Sequence, residues 1–282
     1  MPFSTFPDGK VIPAFSGKGM YVYTCDKVVS TFGGDEKKAA QAMKEMGLQH
    51  IWIRLHGNGY VGDKDGANLK KMHTLLDAVQ TAGLAVSGWG WCQGENPSKE
   101  STLTKKALKE FELDTFVADI EQGVSSSNWT PTEIHDYLAG VKDAAVGGLA
   151  LTSHGFIDWH DPAVLKPAEE FVDAMNPQAY WYGSFPSQKM LSSISKTGTY
   201  KPKNSAEYGR LCVDRYTTWY HKPVILTGQA YSEDAFSAGD VENKLMEFQE
   251  GFKAWGSIVA LNFWHLGSTT PDMRTTIAAI QP

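Results

Sequence analysis

Short β-type runs alternate with longer amphipathic segments eight times along this chain, without a linker or low-complexity break. The runs are Gly19 to Cys25, His50 to His56, Leu84 to Trp91, Thr115 to Glu121, Gly148 to His154, Pro177 to Gly183, Pro223 to Ala230 and Ser257 to Trp264. Between them lie helical patterns such as those opening at Asp35, Asn68, Thr130 and Asp240. Thr130, Pro131 and Glu133 have the form of a capping box with proline at the first helical position. Gly47, Gly83 and Gly256 each stand where a helix should close in a left-handed residue before the next strand. Eight βα units in 282 residues suit a single α/β domain, a (β/α)8 TIM barrel of residues 1–282 in which 1–18 form an N-terminal extension. An open doubly wound sheet with extra strands is the alternative.

In such a barrel alternate strand residues face the axis, and those at the C-terminal strand ends reach the mouth. Parity then sorts the polar residues. In the second strand Ile51, Ile53 and Leu55 should meet the helices while Arg54 and His56 face inward. The fourth run places Asp119 and Glu121 on one face, about 6 to 7 Å apart along the strand. At that spacing one carboxyl can hold a proton while its neighbour stays ionised. The same count aims Gln178, Tyr180 and Tyr182, then Gln229 and Tyr231, then Asn262 and Trp264 at the same mouth, and Trp89, Trp91 and Gln93 extend it. Each has a duller explanation: Arg54 as the neutraliser of a buried carboxylate, His56 as a satisfied core histidine, the tyrosines as strand-favouring core aromatics. Together they describe a sugar site, where rings stack on C–H faces and amides take hydroxyl hydrogen bonds around two acids.

Composition narrows the partners. A hydrophobic share of 42% and a charged share of 21% are globular values, and the net charge of -6 comes without a basic patch for nucleic acid. No apolar run reaches membrane-spanning length and no secretory signal is visible, so the expectation is a soluble chain without membrane insertion, made in the cytoplasm and leaving it, if at all, by a non-standard route. Cys25, Cys92 and Cys212 are too scattered for a disulfide framework or a zinc site. Gly57 to Gly62 matches the GxGxxG fingerprint of dinucleotide sites, yet no helix opens at its third glycine, so a rim loop is expected and the nicotinamide oxidoreductase it would imply is set aside. Asp63 to Asn68 hints at calcium but lacks the glycine and terminal glutamate of a calcium loop. No GxSxG or HExxH occurs, and neither a metal nor a cofactor is expected.

Asp119-Ile120-Glu121, Tyr180-Trp181-Tyr182 and Phe263-Trp264 together resemble the barrel muramidases of glycoside hydrolase family 25 and related lysozyme-like domains. The longer DxxDxDxE pattern of family 18 chitinases is not met, since Thr115 and Val117 occupy its earlier acid positions. The chain also departs from the muramidases: Tyr21 and Tyr23 stand on strand one in place of an inward aspartate, and Trp264-His265-Leu266 replaces WQY. The resemblance implies hydrolysis of a glycan of N-acetylated amino sugars, peptidoglycan being favoured, and an association with a phage or secretion apparatus would fit it. Glu121 is expected to be the general acid, with Asp119 ionised beneath it, stabilising an oxocarbenium-like centre or orienting a substrate acetamido group. A barrel that binds glycan, or serves a larger assembly, without catalysis is the alternative.

Overall fold

The computed structural model describes residues 3–57, 59–63, 68–123, 127–181, 185–194, 201–232, 238–251 and 255–281. Eight parallel strands close into a barrel: β1 (Gly17–Val22), β2 (His50–Gly57), β4 (Ala85–Cys92), β5 (Thr115–Ile120), β6 (Gly148–His154), β7 (Ala174–Ala179), β8 (Ile225–Gln229) and β9 (Ala260–Trp264). β1 pairs with both β2 and β9, which is the closure. The two-residue β3 (Tyr60–Val61) pairs antiparallel with the end of β2, Gly57 against Tyr60, so the described part of the GxGxxG segment belongs to the rim.

The outer layer follows the amphipathic segments: α1 (Cys25–Thr31), α2 (Glu36–Glu45), α3 (Leu69–Thr81), α4 (Pro97–Glu110), α5 (Pro131–Lys142), α6 (Gln188–Ile194), α7 (Ser205–Trp219), α8 (Ala238–Gly251) and α9 (Pro271–Ala279). Thr130 and Glu133 form the expected reciprocal cap on α5. Gly47 and Gly83 take positive φ after α2 and α3. Gly256 does not close α8; it sits in a separate 3-10 turn, Trp255–Ser257. Between β6 and β7 the connection is a 3-10 stretch, Pro162–Glu170, because Pro167 inside it has no N–H for an α-helical ladder. β7 also begins three residues before Pro177, the expected start, since a proline removes one donor and the ladder continues on both sides of it.

Two cores result from strand parity. Ile51, Ile53, Leu55, Phe116, Ala118, Leu149 and Phe263 face the helices. Tyr21, Trp52, Trp89, Val117, Ala150, Ala174, Ile225 and Ala260 fill the barrel, joined from below by Phe6, Ile12, Ala14 and Phe15 of the segment before β1. That segment stoppers the N-terminal end: Trp52 donates its indole N–H to the Ala14 carbonyl at 2.7 Å. Lys18, buried on the outer face of β1, donates to the carbonyls of Ile277, Ala278 and Ile280 and so caps the end of α9.

Candidate active site

The open end of the barrel holds a cavity of about 420 Å³, walled by Tyr23, Arg54, Trp89, Trp91, Asp119, Glu121, His154, Gly155, Gln178, Tyr180, Tyr208 and Trp264. Its acids come from one strand. β5 ends at Ile120, with Asp119 buried within the strand and Glu121 half-buried one residue beyond it, on the same face. Gln178, on β7, donates an amide N–H to Asp119 Oδ1 at 2.9 Å. Burial, then the negative charge of Glu121 and the hydrogen bond shared with it, hold the Asp119 carboxyl well above the usual carboxylate range. Burial thus works against the ionised state expected of Asp119, since the deeper acid has less access to water.

The aromatic wall is tightly interlocked. Trp264 meets Tyr21, Tyr23 and Trp89 edge-on at ring separations of 5.1, 5.6 and 5.2 Å. Arg54 lies among these rings, 4.8 Å from the centre of Tyr23, 5.7 Å from Trp89 and 5.9 Å from Tyr60. Its Nε donates to the His56 carbonyl at 3.3 Å and its Nη2 to the Tyr60 hydroxyl at 3.1 Å.

Of the residues expected at the mouth, Arg54, Trp89, Trp91, Asp119, Glu121, Gln178, Tyr180 and Trp264 meet there. The other expected residues that are described do not line it. His56 faces the helices, because a bulge sets Arg54 against Trp89 and His56 against Gly90, reversing the alternation after Arg54. Its ring stacks on Phe116 and its Nε2 pairs with Thr104 Oγ1 on α4 at 3.0 Å. Burial and the Arg54 charge lower its pKa to about 3. Asn262 points into the barrel as expected but near the floor, where its Oδ1 pairs with His50 Nε2 at 2.8 Å. Gln229 is buried just behind the cavity, donating to the Tyr231 carbonyl, and Tyr231 packs edge-on against Tyr180. Gln93 lies beyond Trp91, its N–H bonded to Glu100. Tyr182 falls outside the described residues.

Four wall residues were not singled out from sequence. Tyr23 and His154 continue the inward parity of β1 and β6, a signal that was available. His154 pairs through Nε2 with the Gln122 carbonyl at 3.0 Å. Gly155 follows it, and Tyr208 enters from α7, where strand parity says nothing. Among the described residues no three His, Cys, Asp or Glu side chains converge as metal ligands, and no helix is long and apolar enough to cross a membrane.

No protein-family model matches the chain, and no curated protein matches it by sequence. Solved structures do match in fold. A chitinase from Bacteroides thetaiotaomicron superposes with a TM-score of 0.63 at 11% identity, over 94% of this chain and 96% of that one. A family 18 chitinase from Pseudoalteromonas aurantia gives 0.60 at 11%, over 94% and 99%. An endoglucanase from Pseudomonas stutzeri gives 0.58 at 11%, over 99% and 98%. The chain thus shares the barrel fold of these hydrolases, and the likenesses do not single out family 25.

Proposed function

We propose that this barrel hydrolyses a glycosidic bond in a glycan containing N-acetylated amino sugars, with peptidoglycan the favoured substrate. One observation carries the reading: two carboxyl groups, the deeper held above the usual carboxylate range by burial and by its neighbour, line one cavity walled by tyrosine and tryptophan. Glu121, the more exposed of the two, is the general acid. In the resting protein the proton sits on Asp119; entry of a sugar expels water, and the proton passes along the shared hydrogen bond to Glu121 and on to the leaving oxygen as the C–O bond breaks. Asp119, then ionised, stabilises the positive charge at the anomeric carbon or orients the acetamido group that attacks it. Glu121, now a carboxylate, takes the proton of the water that completes hydrolysis. Gln178 holds Asp119 in place throughout. The amino-sugar preference rests on the resemblance of the Asp119-Ile120-Glu121 and Tyr180-Trp181 segments to muramidases, and the occurrence of chitinases among the fold relatives agrees with it.

The test is a screen of the purified protein against peptidoglycan, chitooligosaccharides and neutral polysaccharides, read by mass spectrometry of released fragments. Fragments from the amino-sugar polymers that disappear with Glu121→Gln support the reading. Release from neutral polysaccharides alone overturns the substrate class, and no release from any leaves a glycan-binding barrel.

A further inference from the structure

We propose that Arg54 is the receptor for a carboxylate carried by the substrate, so that the mouth takes an acidic glycan rather than a neutral one; this deepens the glycan-hydrolase reading and rests on it for the identity of the cavity. Arg54 is 6% exposed, and among the described residues no carboxylate lies within ion-pair distance of it. The ion-paired arginines of the molecule differ: Arg215 makes two hydrogen bonds to Asp158, at 2.7 and 2.8 Å, where a single acid answers both sides of the guanidinium. A buried cation with no carboxylate in ion-pair contact is costly, and three aromatic faces together with the more distant charge of the acid pair offset only part of that cost. The missing partner is one that arrives with the ligand.

The geometry fits that partner. A guanidinium has five N–H groups, and Arg54 uses one on Nε and one on Nη2 within the protein. Three remain, with at least one on each terminal nitrogen, the pair that a carboxylate takes side by side. Arg54 lines the same cavity as the acid pair. Tyr60, reaching across from the β3 hairpin, and Tyr23 fix the plane of the fork. Strand order sets its distance from the chemistry. Arg54 is registered with Trp89 on β4, and Trp89 with Val117 on β5, so the backbone that carries the cation stands two strands from the one that carries the acid pair, on the order of 10 Å. One sugar unit and its substituent span that separation. A carboxylate at Arg54 therefore leaves the glycosidic oxygen free to lie at Glu121, without pressing two negative charges together.

Two kinds of sugar acid present this chemistry: a lactyl ether on an amino sugar and a uronate. Binding is measured by calorimetry on the Glu121→Gln protein, so that nothing is cleaved, with three disaccharides: N-acetylglucosaminyl-N-acetylmuramic acid, glucuronyl-N-acetylglucosamine and chitobiose. The first differs from chitobiose only in its lactyl group. At least one acid is expected to bind about tenfold or more tighter than chitobiose, equivalent to about 1.4 kcal/mol. That ratio should shrink with added salt, fall to parity in Arg54→Gln and survive in part in Arg54→Lys. Which acid is preferred separates the lactyl source from the uronate source. Equal binding of all three, or binding of none by the folded protein, overturns the inference. Should Arg54→Gln not fold, the ratio in the Arg54-bearing protein and in Arg54→Lys decides. Cleavage of chitooligosaccharides without acid preference removes the role of Arg54 and keeps the hydrolase. Acid-dependent binding without cleavage of any glycan does the reverse.

Discussion

The two ends of the barrel interior are built from the same kinds of residue and solve opposite problems. At the floor the polar groups invited inside are paired largely within the protein, the Asn262 amide nitrogen excepted: His50 Nδ1 lies 2.8 Å from the Ser16 carbonyl and its Nε2 2.8 Å from Asn262 Oδ1. One layer up, the Tyr21 hydroxyl donates to Asn176 Oδ1, whose amide donates in turn to Ile225 and Thr227. At the mouth the count is left open. Asp119 has Gln178 and Glu121, Arg54 has a carbonyl and a phenol, and both retain capacity directed into the cavity. Buried polar groups are satisfied in a fold that needs only to be stable, and unspent hydrogen-bonding capacity marks where a ligand completes the set. The floor is thus a structural network and the mouth an unfinished one.

Breaking the mouth should give the largest effect. Glu121→Gln keeps the shape of the side chain and removes the exchangeable acid proton, so turnover on any glycan that the native protein cleaves should fall by about 10²- to 10⁴-fold with an unchanged melting temperature. Fragment release and thermal unfolding, measured together, check this. A full rate in Glu121→Gln would remove Glu121 from the acid role and leave Asp119 as the only candidate on the strand.

Breaking the floor should do the converse. Asn262→Leu strands the His50 Nε2 group in a dry interior, and a lost partner of that kind costs about 1–3 kcal/mol. Gly19→Ala attacks the same pair sterically, because a β-carbon at Gly19 would run into the His50 ring and the Asn262 amide. Both variants should unfold at lower urea concentration while turnover per folded molecule stays at the native level. A selective loss of turnover in Asn262→Leu, with stability intact, would return Asn262 to the substrate site where strand parity alone had placed it.

That residue shows what the sequence could and could not convey. Alternation along a strand gives the face of each side chain, and it correctly brought Arg54, Trp89, Asp119, Glu121 and Gln178 inside. It does not give height, which depends on the stagger of strands around the barrel: Asn262 bonds His50, which in turn bonds Ser16 at the floor, and does not line the cavity of the acids. Nor does it survive a bulge, and the extra residue between Arg54 and His56 is a local departure that no hydrophobic pattern announces. Tyr208 reaches the mouth from a helix and is silent in any strand count. The acid pair was legible because both of its members come from one strand, where spacing alone fixes their relation.

The smallest effect, on the pH dependence of stability, sharpens the comparison most, because floor and mouth titrate in opposite senses. Burial lowers the His50 pKa from 6.5 to about 4, so the unfolded chain binds this proton more readily. Stability that His50 contributes above 6.5 is lost as the pH falls toward about 4, and His265, also lowered to about 4 by burial, adds to the same loss. Asp119 works the other way. Its folded carboxyl keeps the proton above the ordinary value of 3.8, so the folded state binds more protons than the unfolded one and stability falls as the pH rises from there. Urea unfolding across this acidic range should therefore show a steeper gain with pH in Asp119→Asn than in the native protein, and a flatter one in His50→Gln. Parallel curves for Asp119→Asn and the native chain would mean that Asp119 is ionised in the fold. The relay proposed between the two acids would then reduce to a single acid beside a fixed charge.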